Sequence, residues 1–237
     1  RLPARSFRFS LACWTVLLAG SFWGVAHSMQ EVSVFNAYLA FGSVIVMWGW
    51  HELAFLTGWI TGPRKTPLDA GATGWPRFVQ SVQVMLYHEL ALLLNFAVLV
   101  YLQQGQPNHI ALCTYALLWC MRLSAKLNLF FGVPRINLEF IPQPLLHLTS
   151  YFKQGPVTLA FGLGLTGLSL VTAALGLALF SASTVEAQIG HALLFALCAL
   201  ATLEHWLMVI PLPDAKLWRW MLPTLSTNTK TGQSHEL

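Results

Sequence analysis

The sequence predicts an all-α, polytopic transmembrane helical bundle of about six spans, and three observations carry that prediction. Hydrophobic residues make up 56% of the 237 positions. Only 9% are charged, against roughly 25% in an ordinary soluble domain. Mean hydropathy is +0.60, and apolar runs of about 20 residues, the length a bilayer core requires, recur along most of the chain. A soluble globular enzyme, a disordered chain and a secreted disulfide scaffold are excluded by the same arithmetic. The four cysteines, Cys13, Cys113, Cys120 and Cys198, all lie inside apolar runs and read as buried small hydrophobes rather than disulfide partners. The net charge of +4 forms no basic stripe, so the expected partner is membrane lipid and not nucleic acid.

The spans fall at about 8–27, 33–60, 78–103, 109–131, 157–180 and 187–211. Each is far longer than the ~10 alternating residues of a barrel strand, which selects helices. The first follows Arg1, Arg5 and Arg8 like a signal peptide, but its apolar stretch is too long and Trp23 crowds any cleavage site, so a retained span is expected. Basic residues set the orientation. Arg64, Lys65 and Arg77 follow span two, Arg135 and Lys153 follow span four, and Lys216, Arg219 and Lys230 follow span six. The connections around Gln30, Gln106 and Ser183 carry no Lys or Arg. Both termini and both long loops are therefore expected in the cytoplasm. Residues 1–222 form one transmembrane domain in this reading, and 223–237 a polar cytoplasmic tail. The loop after span four is punctuated by Pro134, Pro142 and Pro144 and carries Leu145, Leu146, Leu148, Tyr151 and Phe152. It suits either a short helix in the membrane interface or a loop packed on the bundle.

Ionisable residues inside spans cost about 2.5–3.5 kcal/mol each on insertion scales, so each asks for a reason. Span two holds His51 and Glu52; span three, His88 and Glu89; span four, Arg122, Lys126 and Asn128; span six, Glu204 and His205. At 1.5 Å per residue these sit in one layer, roughly 8–17 Å in from the cytoplasmic helix ends. Ser81, His88 and Asn95 recur at intervals of seven, as do His191, Cys198 and His205, giving each helix a polar stripe for its neighbours. Adjacent His and Glu residues diverge by about 100° around a helix, so one member heads inward while the other meets a neighbour. Three readings of the layer stay open. One is an ion-pair network in which Glu52, Glu89 and Glu204 share Arg122 and Lys126. Another is a metal centre drawing on His51, Glu52, His88, Glu89, Glu204 and His205. The third is a histidine ligand to the magnesium of a chlorophyll-type pigment.

Other patterns dissolve on inspection. WHELAFL (50–56) and YHELALL (87–93) lack the second histidine of a zinc-protease box. Gly162, Gly164 and Gly167 match a dinucleotide fingerprint literally but lie inside a span with no preceding strand. In the same span Gly162, Thr166, Ser169, Ala173 and Gly176 form a seam of small residues suited to close helix packing, within the chain or with a partner.

The segments WGWHELAFLTGWITGPR, LYHELALLL, MRLSAKLNLFFGVPRINLEF and LTSYF, within roughly residues 45–153, resemble the PuhE-type photosynthetic complex assembly proteins of phototrophic proteobacteria. The resemblance runs through Glu52, Tyr87–His88–Glu89 and Lys126–Leu127–Asn128; outside it, the spans agree only in hydropathy and order. It implies a multi-pass protein of the bacterial inner or intracytoplasmic photosynthetic membrane. The implied role is assembly of the reaction centre and core antenna, linked to bacteriochlorophyll supply. Reaction-centre subunits, antenna subunits or pigment-biosynthesis proteins would be its partners, and a metal ion or bacteriochlorophyll its cofactor if it has one. A non-enzymatic assembly factor is the favoured reading. A membrane metalloenzyme acting on a tetrapyrrole or another lipophilic precursor is the alternative, and a proton-coupled carrier, without two-half symmetry, is the weakest.

Overall fold

The computed structural model describes residues 4–138 and 141–210, with side chains from Phe9 onward. Among these residues six α-helices form: α1 (Ala4–Ser28), α2 (Val34–Leu56), α3 (Gly74–Leu102), α4 (Ile110–Phe131), α5 (Leu159–Ser181) and α6 (Val185–Leu207). Each contains a stretch long and apolar enough to cross a membrane. Among the described residues there is no strand, only a lone parallel bridge between Val133 and Gln154. The expected residues 211–222 and the tail 223–237 lie outside the described residues.

Local chemistry sets the helix ends. Ser33 caps α2 by accepting from the Asn36 N–H (3.1 Å), Thr158 caps α5 through Phe161 (3.4 Å), and Thr184 caps α6 through Ala187 (3.3 Å), each satisfying an otherwise unpaired first-turn donor. The helix α2 stops four residues short of the expected limit at residue 60. The N–H groups of Trp59 and Ile60 both fold back to the Ala54 carbonyl, and Gly58 takes the left-handed conformation (φ 76°) that ends helices cheaply. At its start α3 overshoots in the other direction, beginning at Gly74 and running 29 residues.

Two antiparallel hairpins, α1–α2 and α5–α6, flank α4, which touches α2, α3, α5 and α6. The largest apolar core joins α1 to α4 through Val25, Met29, Val44, Met47, Leu92, Leu99 and Tyr115. The Tyr115 hydroxyl donates to the Leu92 carbonyl (2.9 Å), so the one polar atom of that ring is satisfied. A smaller core of Met121, Leu168, Cys198 and Ala201 ties α4 to α5 and α6. Outward faces are apolar, with Leu94, Leu163, Leu170, Leu177 and Phe180 all exposed, as lipid contact requires. The cysteines form no disulfide; Cys198 is buried as expected, whereas Cys13, Cys113 and Cys120 are exposed.

At one end of the bundle the loop 57–73 and a 3₁₀ segment, Gln143–Tyr151, lock together as a cap. Leu145, Leu148 and Tyr151 bury themselves against Phe55 and Val84, while Leu146 stays exposed. The segment thus packs on the bundle instead of lying free along a surface. Arg64 donates to the Tyr151 hydroxyl (2.7 Å) and pairs with Asp69 (2.5 Å). Tyr151 passes its own proton to the Thr66 carbonyl (2.9 Å). From α3, Arg77 donates to the carbonyls of Phe130 (2.7 Å) and Tyr151 (2.8 Å), with its guanidinium 4.1 Å from the Phe130 ring centroid. The hydrogen bond to Tyr151, then that to Asp69, holds the Arg64 pKa above its ordinary value. His147 is held below its own, mainly by burial and further by the Lys65 charge, with a hydrogen bond to the Pro144 backbone opposing.

The cap also reaches into α3. The Thr61 carbonyl accepts from the His88 N–H (2.9 Å) and the Arg64 N–H approaches the Gln83 carbonyl (3.5 Å). A loop carbonyl therefore enters the hydrogen-bond ladder of a helix. Only glycine permits this approach: a Cβ at Gly62 would stand 1.9 Å from the Gln83 oxygen. His88 lies fourteen residues into α3, about 21 Å from the start of that helix.

Candidate functional site: a charged layer at the end of the spans

Measured from the helix ends, the polar residues lie at unequal depths: shallower than residue counting suggests on α2 and α6, and deeper on α3, where Glu89 stands about 22 Å from the helix start. Because α2 and α6 each stop four residues earlier than expected, Glu52 is only about 6 Å, and Glu204 about 5 Å, from the end of its helix. Lys126 and Arg122 lie about 8 and 14 Å from the end of α4.

Three alternate residues of α4 reach three different helices. Arg122 pairs with Glu52 of α2 (Nη2–Oε2 2.9 Å), Lys126 pairs with Glu89 of α3, and the Ser124 hydroxyl is hydrogen-bonded to Nε2 of His205 on α6 (3.0 Å). The His205 Nδ1 proton goes to the Ala201 carbonyl one turn back (2.9 Å). At about 100° per residue Arg122 and Lys126 lie only about 40° apart and share the face of α4 toward α2 and α3, while Ser124 lies on the opposite side, toward α6. Ser124 was not singled out from the sequence; its only signal was a hydroxyl between two cations in an apolar run.

Each adjacent His–Glu pair divides its labour. In α2, buried His51 meets the Asn95 amide of α3 (3.0 Å) while Glu52 turns to α4. In α3, His88 is fully buried, its ring 4.6 Å from that of Phe55, while Glu89 reaches Lys126. The Lys126 ammonium also lies 5.8 Å from the Phe55 ring centroid. In α6, His205 is buried and Glu204 exposed. Both ring nitrogens of His88, both amide atoms of Asn128 and Oε1 of Glu52 are buried without a hydrogen-bond partner. Such atoms are where internal water or a ligand group is expected.

Among the described residues no three His, Cys, Asp or Glu side chains come together as a metal-binding group. Of the six candidate ligands, Glu52 and Glu89 are engaged by cations, and His51 and His205 by Asn95 and Ser124. His88, packed under Phe55 with no exposed surface, presents no open face for a pigment ring. The small-residue seam divides: Gly176 is buried, 3.2 Å from the Phe195 ring as measured from an added Cβ, whereas Gly162, Thr166, Ser169 and Ala173 are exposed. The face of α5 that meets α6 carries Thr172 instead, which donates to the Cys198 sulfur (3.2 Å) and lies 3.1 Å from the Thr202 hydroxyl.

Six membrane-length helices, with ion pairs running from α4 to α2 and α3 toward one end of the bundle, define a polytopic helical membrane protein. A family profile described as "Protein of unknown function (DUF3623)" matches residues 1–229, and the chain belongs to that family. It is 43% identical over 215 residues to an "Uncharacterized 30.4 kDa protein in puhA 5'region" of Rhodobacter capsulatus, an alignment covering 91% of this chain and 78% of that relative. These matches agree with the PuhE-type resemblance carried by residues 45–153. No solved structure matches the chain.

Proposed function

We propose that this protein is a membrane-embedded assembly factor for the photosynthetic reaction centre and its core antenna, acting where bacteriochlorophyll is supplied to them. The observation carrying the proposal is the R. capsulatus relative, whose name sets it in the 5′ region of puhA. The structure supports a scaffold rather than a reaction centre of its own: the polar layer is spent on holding α2, α3, α4 and α6 in register. It also leaves a face for partners. On α5 only Phe161, Leu168 and Gly176 are buried, and the outward Gly162, Thr166, Ser169 and Ala173 allow another helix to approach closely. The cap lies on the cytoplasmic side in this reading, since Arg64, Lys65, Arg77, Arg135 and Lys153 gather in and around it.

Purification in mild detergent from phototrophically grown cells tests the proposal. Reaction-centre or antenna subunits, or pigment enzymes, are expected to co-purify. The pair Gly162→Leu and Ala173→Leu is expected to lose them while membrane abundance of the protein holds. Recovery of none of these proteins with the unmodified chain would overturn the assignment.

A further inference from the structure

Two cavities meet α4 on neighbouring faces and share Met121. The first, about 300 Å³, lies among α2, α4 and α6, with Glu52, Arg122 and Glu204 as its charged groups and Trp48 and Leu118 among its walls. The second, about 510 Å³, is an apolar groove between α4, α5 and α6. It runs along α4 from Ser124 to Cys113, eleven residues or about 16 Å, close to half of a ~30 Å hydrocarbon core. Together they have the layout of one lipid site, with a polar head at the level of the charged layer and an apolar channel one leaflet deep.

Charge selects the head group. Arg122 spends one Nη on Glu52, and Glu52 Oε1 has no partner. No ion pair engages Glu204 among the described residues. The pocket therefore leaves a carboxylate without a cation, Glu204, and a buried donor without an acceptor, Arg122 Nε. A primary ammonium answers the first, with the Trp48 indole adding cation–π attraction, and an anionic oxygen answers the second. A phosphate carried next to that ammonium would face Arg122, the one cation lining the pocket among the described residues. We infer that the junction of α2, α4 and α6 binds an aminophospholipid of the phosphatidylethanolamine type, its ammonium on Glu204 and Glu52, its phosphate beside Arg122, and one acyl chain in the α4–α5–α6 groove. This site does not depend on the assembly role and stands or falls separately.

The test is lipid retention by the full-length protein, delipidated in detergent and then titrated with matched-chain phosphatidylethanolamine, phosphatidylcholine or phosphatidylglycerol, read by native mass spectrometry. Phosphatidylethanolamine is expected to bind about tenfold more tightly than phosphatidylglycerol, the worth of one charge-assisted contact. Phosphatidylcholine, which keeps the charge but lacks the donors, should fall between them. Glu204→Gln alters an exposed side chain and is expected to erase the preference. Gly167→Leu is expected to weaken all three lipids, because it fills groove space that a Cβ at that position finds empty. Glycerophosphoethanolamine, the head without its chains, should not bind at comparable concentration. Equal retention of the three lipids, preference for phosphatidylglycerol, an unchanged preference in Glu204→Gln, or binding of the bare head as tight as the lipid would each overturn the inference.

Discussion

Replacing Gly62 by alanine should be among the most damaging single-methyl changes this protein can suffer. The added Cβ would stand 1.9 Å from the Gln83 oxygen, 2.6 Å from the Val84 carbonyl carbon and 2.7 Å from the Val84 oxygen. Ordinary contact begins near 3.4 Å, so the loop would have to retreat by about 1.5 Å. All three obstacles are backbone atoms of α3, and no rotamer change relieves them. A retreat of that size breaks the 2.9 Å bond from His88 N–H to Thr61 and the already long Arg64–Gln83 contact. The hydrogen bonds are worth about 1 kcal/mol each net, and leaving a buried N–H unpaired adds about 1–3 kcal/mol. The expected loss is therefore about 3–5 kcal/mol, at the upper end for a point change. Denaturant unfolding in mild detergent, with amide exchange at His88 as a local probe, would read it. Gly42→Ala is the control, since a Cβ there meets nothing within 4 Å. If Gly62→Ala unfolds within about 0.5 kcal/mol of the parent and His88 keeps its exchange protection, the docking of this loop into α3 is wrong.

Two further predictions follow from the charged layer and the cap. Glu89→Gln strands Lys126, whose side chain is only 12% exposed, and should lower stability by about 2–4 kcal/mol; adding Lys126→Gln should return part of that loss, as a double-mutant cycle would show. Arg122→Gln, by contrast, should not rescue Glu89→Gln, because Arg122 is committed to Glu52. For His147 the sign is set by its lowered pKa: the fold favours the neutral ring, so its contribution is intact above about pH 6.5 and is lost as pH falls toward the lower folded value. Amide protection factors within Gln143–Tyr151, which remove the intrinsic pH dependence of exchange, should accordingly fall from pH 7 to pH 5, and His147→Gln should flatten that dependence. Unchanged protection factors across that range would refute the burial of this ring.

The arrangement around α4 explains why so many charges can sit in so apolar a chain. A lone carboxylate in a span is expensive, but each of the two inward-facing ones is met by a cation from the same neighbouring helix. Such pairs add little net stability compared with well-packed apolar residues, yet breaking one is costly, so they discriminate between helix registers. A slip of α4 by one turn would exchange or strand its partners. This is a reason for a helical membrane protein to carry such pairs between its spans.

Composition and hydropathy alone determined six membrane-length helices, their order, and the presence of His–Glu pairs whose members turn apart. These properties are local: a run of apolar residues must satisfy its own backbone in lipid, and 100° per residue separates neighbours whatever surrounds them. Tertiary structure decided the rest. Which carboxylate meets which cation depends on how α2, α3 and α6 are placed around α4. That Ser124 meets His205, that α5 turns most of its small residues outward, and that the loop after α2 threads against α3 depend on contacts between residues tens of positions apart. Periodicity along one helix carries no information about the azimuth of its neighbours, and that azimuth is what converts a list of polar residues into pairs.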